Sequence, residues 1–395
     1  MISMQTKLFN SNRLASIDAL RGLAIFGVIV VHASEYVSGL PTIIAALALQ
    51  GARGVQLFFI ISAFTLCLSF SARKDAEVMP LKAYLIRRFF RIAPLFYLAV
   101  VVYLYHREFI NTSWRDNVSY ITAGNIISTI TFSNSWNPFW INNIVPGGWS
   151  IAVEMPFYLL FPYLYKKIKS LDTAIFYTFS LLVASILFII FLNKYYLEKS
   201  PFLSEIKLWN NYLYFFLPSQ LPVFLLGFVL YYLAPVVSEA YSSNEAKIQA
   251  KRGKAAFLLL CMAFFLYIAL AFGYYNFIPG HFLYGITFIL LALSLLLKPF
   301  TLIVNLFWCF LGRVSYSIYL SHFAILYLVN KFITGELLIS RFNLPSVVIF
   351  FVLVIATLVL SGAFSMITYY LIEIPSQVVG RNLIAKLEKK SYKIN

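Results

Sequence analysis

The 395-residue chain is 61% hydrophobic and 18% aromatic but only 12% charged, a composition outside the range of soluble globular proteins. Its net charge of +16 has the sign that attracts nucleic acid. The basic residues, however, follow the two sides of a membrane instead of forming one patch, which argues against a nucleic-acid partner.

Apolar runs long enough for spanning helices, which need about 20 residues each, recur at 15–36, 54–71, 84–106, 149–166, 173–193, 211–234, 255–276, 281–298, 314–333 and 345–371. They predict an all-α polytopic membrane protein with about ten transmembrane helices, and a further re-entrant piece near 120–134. The first run is too long, and too polar at His32 and Glu35, for a cleaved signal peptide. With ten spans and the N-terminus inside, 22 of the 31 Lys and Arg lie in inside segments, eight outside, and Arg21 within the first span. The inside groups include Arg73 and Lys74, Arg87, Arg88 and Arg91, Lys166 to Lys169, Lys247 to Lys254, and Arg381 to Lys393. This asymmetry puts both termini in the cytoplasm and accounts for most of the charge through topology and anionic lipid contact. No long linker or low-complexity tract interrupts the chain, so 1–395 reads as a single membrane domain.

In chain order, the first span holds Arg21 and His32, eleven residues apart. At about 100° and 1.5 Å per residue they return to one face, roughly 16 Å apart. Two such groups in hydrocarbon are costly, by about 2.5–3.5 kcal/mol for a central Arg, unless they face protein or water. Ser16 stands where it would cap the helix start, and Asp18 is three residues before Arg21. Glu35, three residues after His32, supplies the carboxylate that orients an imidazole base. An ion pair for Asp18–Arg21 and a helix–helix hydrogen bond for His32 are the plain structural alternatives.

The second span opens with Gly51 and Gly54, which allow close helix approach, and carries Gln56, a polar residue in an apolar run that is expected to face the same side as Arg21 and His32. The third begins Leu85-Ile-Arg-Arg-Phe-Phe-Arg. Arg88 and Arg91 share a face there and form a candidate clamp for phosphates, although topology residues look similar. The outside segment 107–148 is rich in amides and rings: Trp114, Trp136, Asn137, Phe139, Trp140, Asn142 and Asn143. It suits sugar faces or the headgroup belt equally, and also holds two sequons, at Asn111 and Asn117. Trp149 and Glu154 flank the end of this outside segment. Glu154 needs a partner within the span, and Pro156 is expected to kink it.

The loop Pro235–Lys254 reads as a plain connector. In the ninth span Tyr316 and Tyr319 lie near His322, for which structural hydrogen bonding is the expected role. Pro375 is expected to end the last span, with Glu373 just inside it. Cys67, Cys261 and Cys309 lack paired spacing and read as packing. The four histidines show no metal-ligand spacing, so no metal is expected.

Taken in order, these motifs resemble the membrane-bound acyltransferase type 3 family, bacterial enzymes that O-acylate surface and secreted carbohydrates. The resemblance runs the whole length. It rests on Asp18-Ala-Leu-Arg-Gly with His32 beyond it, Arg88-x-x-Arg91, Trp149-Ser-Ile-x-x-Glu154, Ser315-Tyr-Ser-Ile-Tyr-Leu-x-His322 and Glu373-x-Pro375. Ala63 and Met155-Pro156 depart from patterns common in the family.

The resemblance implies a bacterial inner-membrane enzyme with acyl-CoA, usually acetyl-CoA, as donor. The acceptor it implies is a carbohydrate or lipid-linked saccharide hydroxyl presented outside. It implies His32 as catalytic base and Arg21, Arg88 and Arg91 as donor-binding residues. Glu35 or Glu154 would assist the base, while Trp149, Gln56 and Tyr316 line the acceptor site. Some members carry a fused extracellular esterase-like domain. None is expected in this chain, which makes direct transfer the expected route. A transporter or flippase for a lipid-linked saccharide or anion is the rival from another class. It leaves His32 beside an acid unexplained, and no inverted repeat supports it.

Overall fold

The computed structural model describes residues 11–107, 121–197, 206–240, 245–273, 278–332 and 344–392. Both sequons, Trp114 and Lys393 lie outside them. Every regular element among the described residues is helical. The α-helices are α1 (Ser11–Ser34), α2 (Thr42–Leu49), α3 (Gly54–Arg73), α4 (Pro80–Tyr105), α5 (Ala123–Ile130), α6 (Trp149–Lys167), α7 (Leu171–Leu192) and α8 (Ile206–Phe215). They continue with α9 (Leu217–Glu239), α10 (Ala246–Phe272), α11 (Gly280–Leu297), α12 (Leu306–Arg313), α13 (Ser315–Phe332), α14 (Ser346–Thr368) and α15 (Ile374–Tyr392).

Seven helical stretches among the described residues are long and apolar enough to cross a membrane, against the ten expected: Ala15–Ser34, Thr42–Arg73, Leu171–Tyr195, Leu208–Glu239, Ala246–Phe272, Gly280–Leu297 and Ser346–Lys390. The other three expected spans coincide with α4, α6 and α13, which are helical but more polar. Arg87, Arg88 and Arg91 interrupt α4, and Glu154, Lys166 and Lys167 interrupt α6. In α13 the interruptions are Ser315, Ser317, Ser321, His322, Asn330 and Lys331. Large side chains such as Phe176, Phe179 and Leu187 on α7, and Phe257, Phe264 and Phe265 on α10, are exposed, as lipid-facing residues are. The protein is a multi-pass membrane protein.

Local chemistry explains several boundaries. Pro80 opens α4, where a missing N–H costs nothing. The Thr122 hydroxyl accepts from the Asn125 N–H to start α5, and the Asn305 side-chain amide oxygen accepts from the Trp308 N–H to start α12. The piece expected near 120–134 is thus the short α5, followed by turns.

Three local expectations are corrected. Ser16 caps nothing: α1 begins five residues earlier, and the buried Ser16 hydroxyl donates to the Leu295 carbonyl at 3.0 Å. Most of Pro235–Lys254 is helical, because α9 runs to Glu239 and α10 starts at Ala246. Pro375 does not end the last helix. It is the second residue of α15, and a π-turn over Tyr369–Glu373 absorbs the missing hydrogen bond just before it.

The described chain divides into two compact units. The first comprises Met1–Ala76, Ser170–Ala174 and Val223–Met366, with α1 at its centre. Glycines set its helix spacing. A Cβ on Gly22 would strike the Trp308 backbone of α12, and one on Gly312 would strike the backbone of Asp18. Gly51 and Gly54 meet the backbone of α1 at Gly27 and Ala24 in the same way. The second unit comprises Glu77–Lys169, Ile175–Pro222 and Ile367–Asn395. In it the Tyr84 hydroxyl donates to the Tyr158 carbonyl at 3.1 Å, and the Tyr84 ring stacks on Phe161 at 5.4 Å.

Candidate functional site

In the first unit, α1 carries both polar stations. Arg21 lies 3.7 Å from Asp18, and its guanidinium donates to Thr65 Oγ1 on α3 at 3.3 Å. The Thr65 hydroxyl donates back to its own helix at the Ile61 carbonyl, so its lone pairs face the arginine. Ile25 and Val28 stand on the same stripe and are buried, which closes the stripe between its polar ends.

His32 sits in the last turn of α1, which stops at Ser34 where the Ser34 hydroxyl donates to the Val31 carbonyl. Glu35 therefore lies in the turn beyond the helix and still reaches back. The His32 Nδ1–H donates to Glu35 Oε1 at 3.3 Å, which fixes Nε2 as the basic nitrogen. The neighbouring Tyr36 phenol is pushed up to about 12, by burial first and then by the Glu35 carboxylate and Tyr327. It stays protonated as a neutral group beside the pair. Around this end Ala33 packs with Leu326, Val329, Phe350 and Leu353 in an apolar cluster that fixes the helix terminus.

The helix α13 adds a group that the sequence had assigned only to structure. The His322 ring centroid is 5.5 Å from that of His32, and both rings pack on Phe323, at 4.2 and 4.3 Å. His322 is fully buried, and its Nδ1–H donates to the Tyr319 carbonyl at 2.7 Å. In the neutral ring that bond leaves Nε2 an acceptor, and it has no hydrogen-bond partner among the described residues. A buried acceptor left unpaired costs about 1–3 kcal/mol, so its presence beside His32 calls for a reason. The only signal in the sequence was the serine- and tyrosine-rich motif ending at His322; no spacing rule links it to His32.

Gln56 is fully buried on α3, and Tyr316 is half-buried on α13. A cavity of about 390 Å³ also borders α1. Its lining there, Leu23, Phe26, Gly27 and Val30, lies on the opposite face from Arg21 and His32, so it is separate from the His32 cluster.

In the second unit lie Arg88 and Arg91, the expected phosphate clamp, with Arg87 beside them. Arg87 is taken by Glu77 in a two-pronged ion pair at 2.6 and 2.9 Å. Arg88 lies over the Tyr158 ring at 6.0 Å, and its buried Nε–H has no partner among the described residues. Glu154 accepts from the Tyr158 hydroxyl, one turn along α6, at 2.5 Å. Glu35 is thus a carboxylate in contact with the His32 ring, and Glu154 is in contact with Tyr158. Trp149 is buried and stacks on Phe215 at 4.4 Å. Among the described residues no group of His, Cys, Asp and Glu is arranged to hold a metal.

Comparison with known proteins agrees with the motifs. The sequence model of a family described as an acyltransferase domain matches residues 14–366. The O-acetyltransferase OatA of Staphylococcus aureus is 25% identical over 407 residues, covering 97% of this chain and 60% of the relative. The peptidoglycan O-acetyltransferase OatA of Listeria monocytogenes is 25% identical over 169 residues, 40% of this chain and 25% of the relative. The chain spans about 60% of the length of the curated relatives it matches over most of its own sequence. No solved structure matches. With the family model covering all but the ends, the chain belongs to the acyltransferase-domain family.

Proposed function

We propose that the protein is an O-acyltransferase that moves an acyl group, acetyl in the first instance, from cytosolic acyl-CoA to a carbohydrate hydroxyl on the outer side of a bacterial cytoplasmic membrane. The observation that carries this reading is the His32–Glu35 pair at the end of α1, in a chain whose family is defined by acyl transfer. His32 Nε2 takes the proton of the acceptor hydroxyl as its oxygen bonds to the thioester carbonyl carbon. Glu35 supports the imidazolium that forms. His32 then gives the proton to the departing sulfur as the carbon–sulfur bond breaks, so an ester and a free thiol leave together.

Arg88 and Arg91 are the residues we assign to the phosphates of the donor. The buried, unpartnered Nε–H of Arg88 fits such an anion, since guanidinium groups bind phosphate through parallel N–H bonds. We retain Arg21 as a further donor-side cation, and Gln56, Tyr316 and Trp149 as acceptor-side candidates. Termini in the cytoplasm follow from the inside excess of Lys and Arg. Peptidoglycan is the first acceptor to test, given the name of the Listeria relative.

The test uses the full chain in proteoliposomes with radiolabelled acetyl-CoA and soluble peptidoglycan fragments. His32→Ala should lower both ester formation and thiol release by about 10²–10⁴-fold. Transfer at the wild-type rate in that variant sinks the assignment. The double variant Arg88→Ala, Arg91→Ala should raise the KM for acetyl-CoA and leave that for the acceptor unchanged.

A further inference from the structure

We infer that His322 is a second acceptor-binding residue, whose Nε2 holds a hydroxyl neighbouring the one that reacts. The inference rests on the acyl-transfer reading above and adds a residue to it. His322 is fully buried, its Nδ1–H is spent on the Tyr319 and Ile318 carbonyls, and its Nε2 lone pair has no partner among the described residues. Only a hydrogen-bond donor can satisfy that atom, which rules out the thioester carbonyl, itself an acceptor. The ring lies 5.5 Å from His32, and Phe323 packs against both rings and holds them in place.

The His322 lone pair beside the His32 imidazole matches a sugar bearing hydroxyls on adjacent carbons. One hydroxyl gives its proton to His32, and the other donates a hydrogen bond to His322. The pair would therefore select an acceptor with two neighbouring free hydroxyls over one whose second position is blocked. Sites built to hydrogen-bond a hydroxyl discriminate strongly against analogues that lack it. The other source of a donor is an amide N–H on the arm of the acyl-CoA, and the kinetics separate the two.

The two ring nitrogens are tested by two substitutions in the full chain in membranes. His322→Asn keeps a donor near the Nδ1 position and removes the Nε2 acceptor, whereas His322→Gln restores an acceptor near Nε2. The assay reads thiol release from acetyl-CoA, and alkali-labile acetate on the cell-envelope carbohydrate of cells carrying each variant. His322→Asn should lower kcat/KM for the acceptor about 10- to 100-fold, with the KM for acetyl-CoA unchanged. His322→Gln should recover most of that loss.

Wild-type transfer in His322→Asn overturns the inference, as does a loss confined to the KM for acetyl-CoA. Equal loss in both variants, with unchanged elution in detergent, also overturns it. If wild-type membranes release no thiol from acetyl-CoA, the functional reading fails first and this inference falls with it.

Discussion

The His32–Glu35 pair sits at the end of α1, whose last residue is Ser34. Three residues apart on a helical turn the two side chains are neighbours, and the Glu35 carboxylate meets the ring at 3.3 Å. Glu35→Gln keeps an acceptor for Nδ1–H but removes the charge that supports the imidazolium. It should cut kcat about 10- to 100-fold with little change in KM, read by thiol release. Tyr36 bears on the same site through its phenol, pushed up to about 12 by burial and the adjacent Glu35. A raised phenol pKa keeps the neutral form dominant as pH rises, so Tyr36→Phe should leave the pH–rate profile unchanged below about pH 10. A new alkaline limb in that variant would contradict the assignment. The His32–Glu35 and Asp18–Arg21 pairs were legible because each spans three residues on one chain segment. His322 was legible as a residue but not as a neighbour of His32, because only the packing of α13 against α1 brings the two rings together.

Elements of this protein meet through backbone as much as through side chains. The Cβ positions at Gly22 and Gly312 are filled by the backbone of the facing helix, so α1 and α12 cannot part by a methyl group without disturbing Asp18 and its neighbour Arg21. Gly312→Val should cost about 1–3 kcal/mol or more through overpacking, seen as a lower unfolding temperature in detergent. Gly253 in α10 is the contrasting case, since a Cβ there meets only the Lys298 side chain at 3.7 Å. Gly253→Ala should raise stability by about 0.5–1 kcal/mol in the same assay, because alanine loses less entropy in a helix. The sequence marked Gly51 and Gly54 as close-approach residues, and the structure bears this out. It misjudged Pro375, because a proline in sequence announces a break, whereas here the lost bond is taken up by a π-turn.

At the scale of the molecule, the charge bias makes a claim about sidedness. Glu245, at the entry to the basic start of α10, should be reached from the cytoplasm, and Trp136, exposed in the segment before α6, from outside. Cysteines at these two positions in a chain lacking Cys67, Cys261 and Cys309 should therefore label oppositely with a membrane-impermeant maleimide in intact cells. The outside position should react and the inside one should not. Labelling of Glu245→Cys from outside would reverse the orientation.

The sequence alone established that the chain is helical and membrane-embedded, and which family it belongs to. These follow from hydrophobic run length and from motifs of fixed local spacing, which need no knowledge of contacts. Tertiary structure alone decided the partnerships of the ionisable groups. Arg87 is spent on Glu77, Arg88 keeps a buried N–H without a partner among the described residues, and His322 lies beside His32 from a distant part of the chain. The reason is physical. A polar group buried within a membrane helix must find a partner, and across such distances along the chain only packing decides which one it meets.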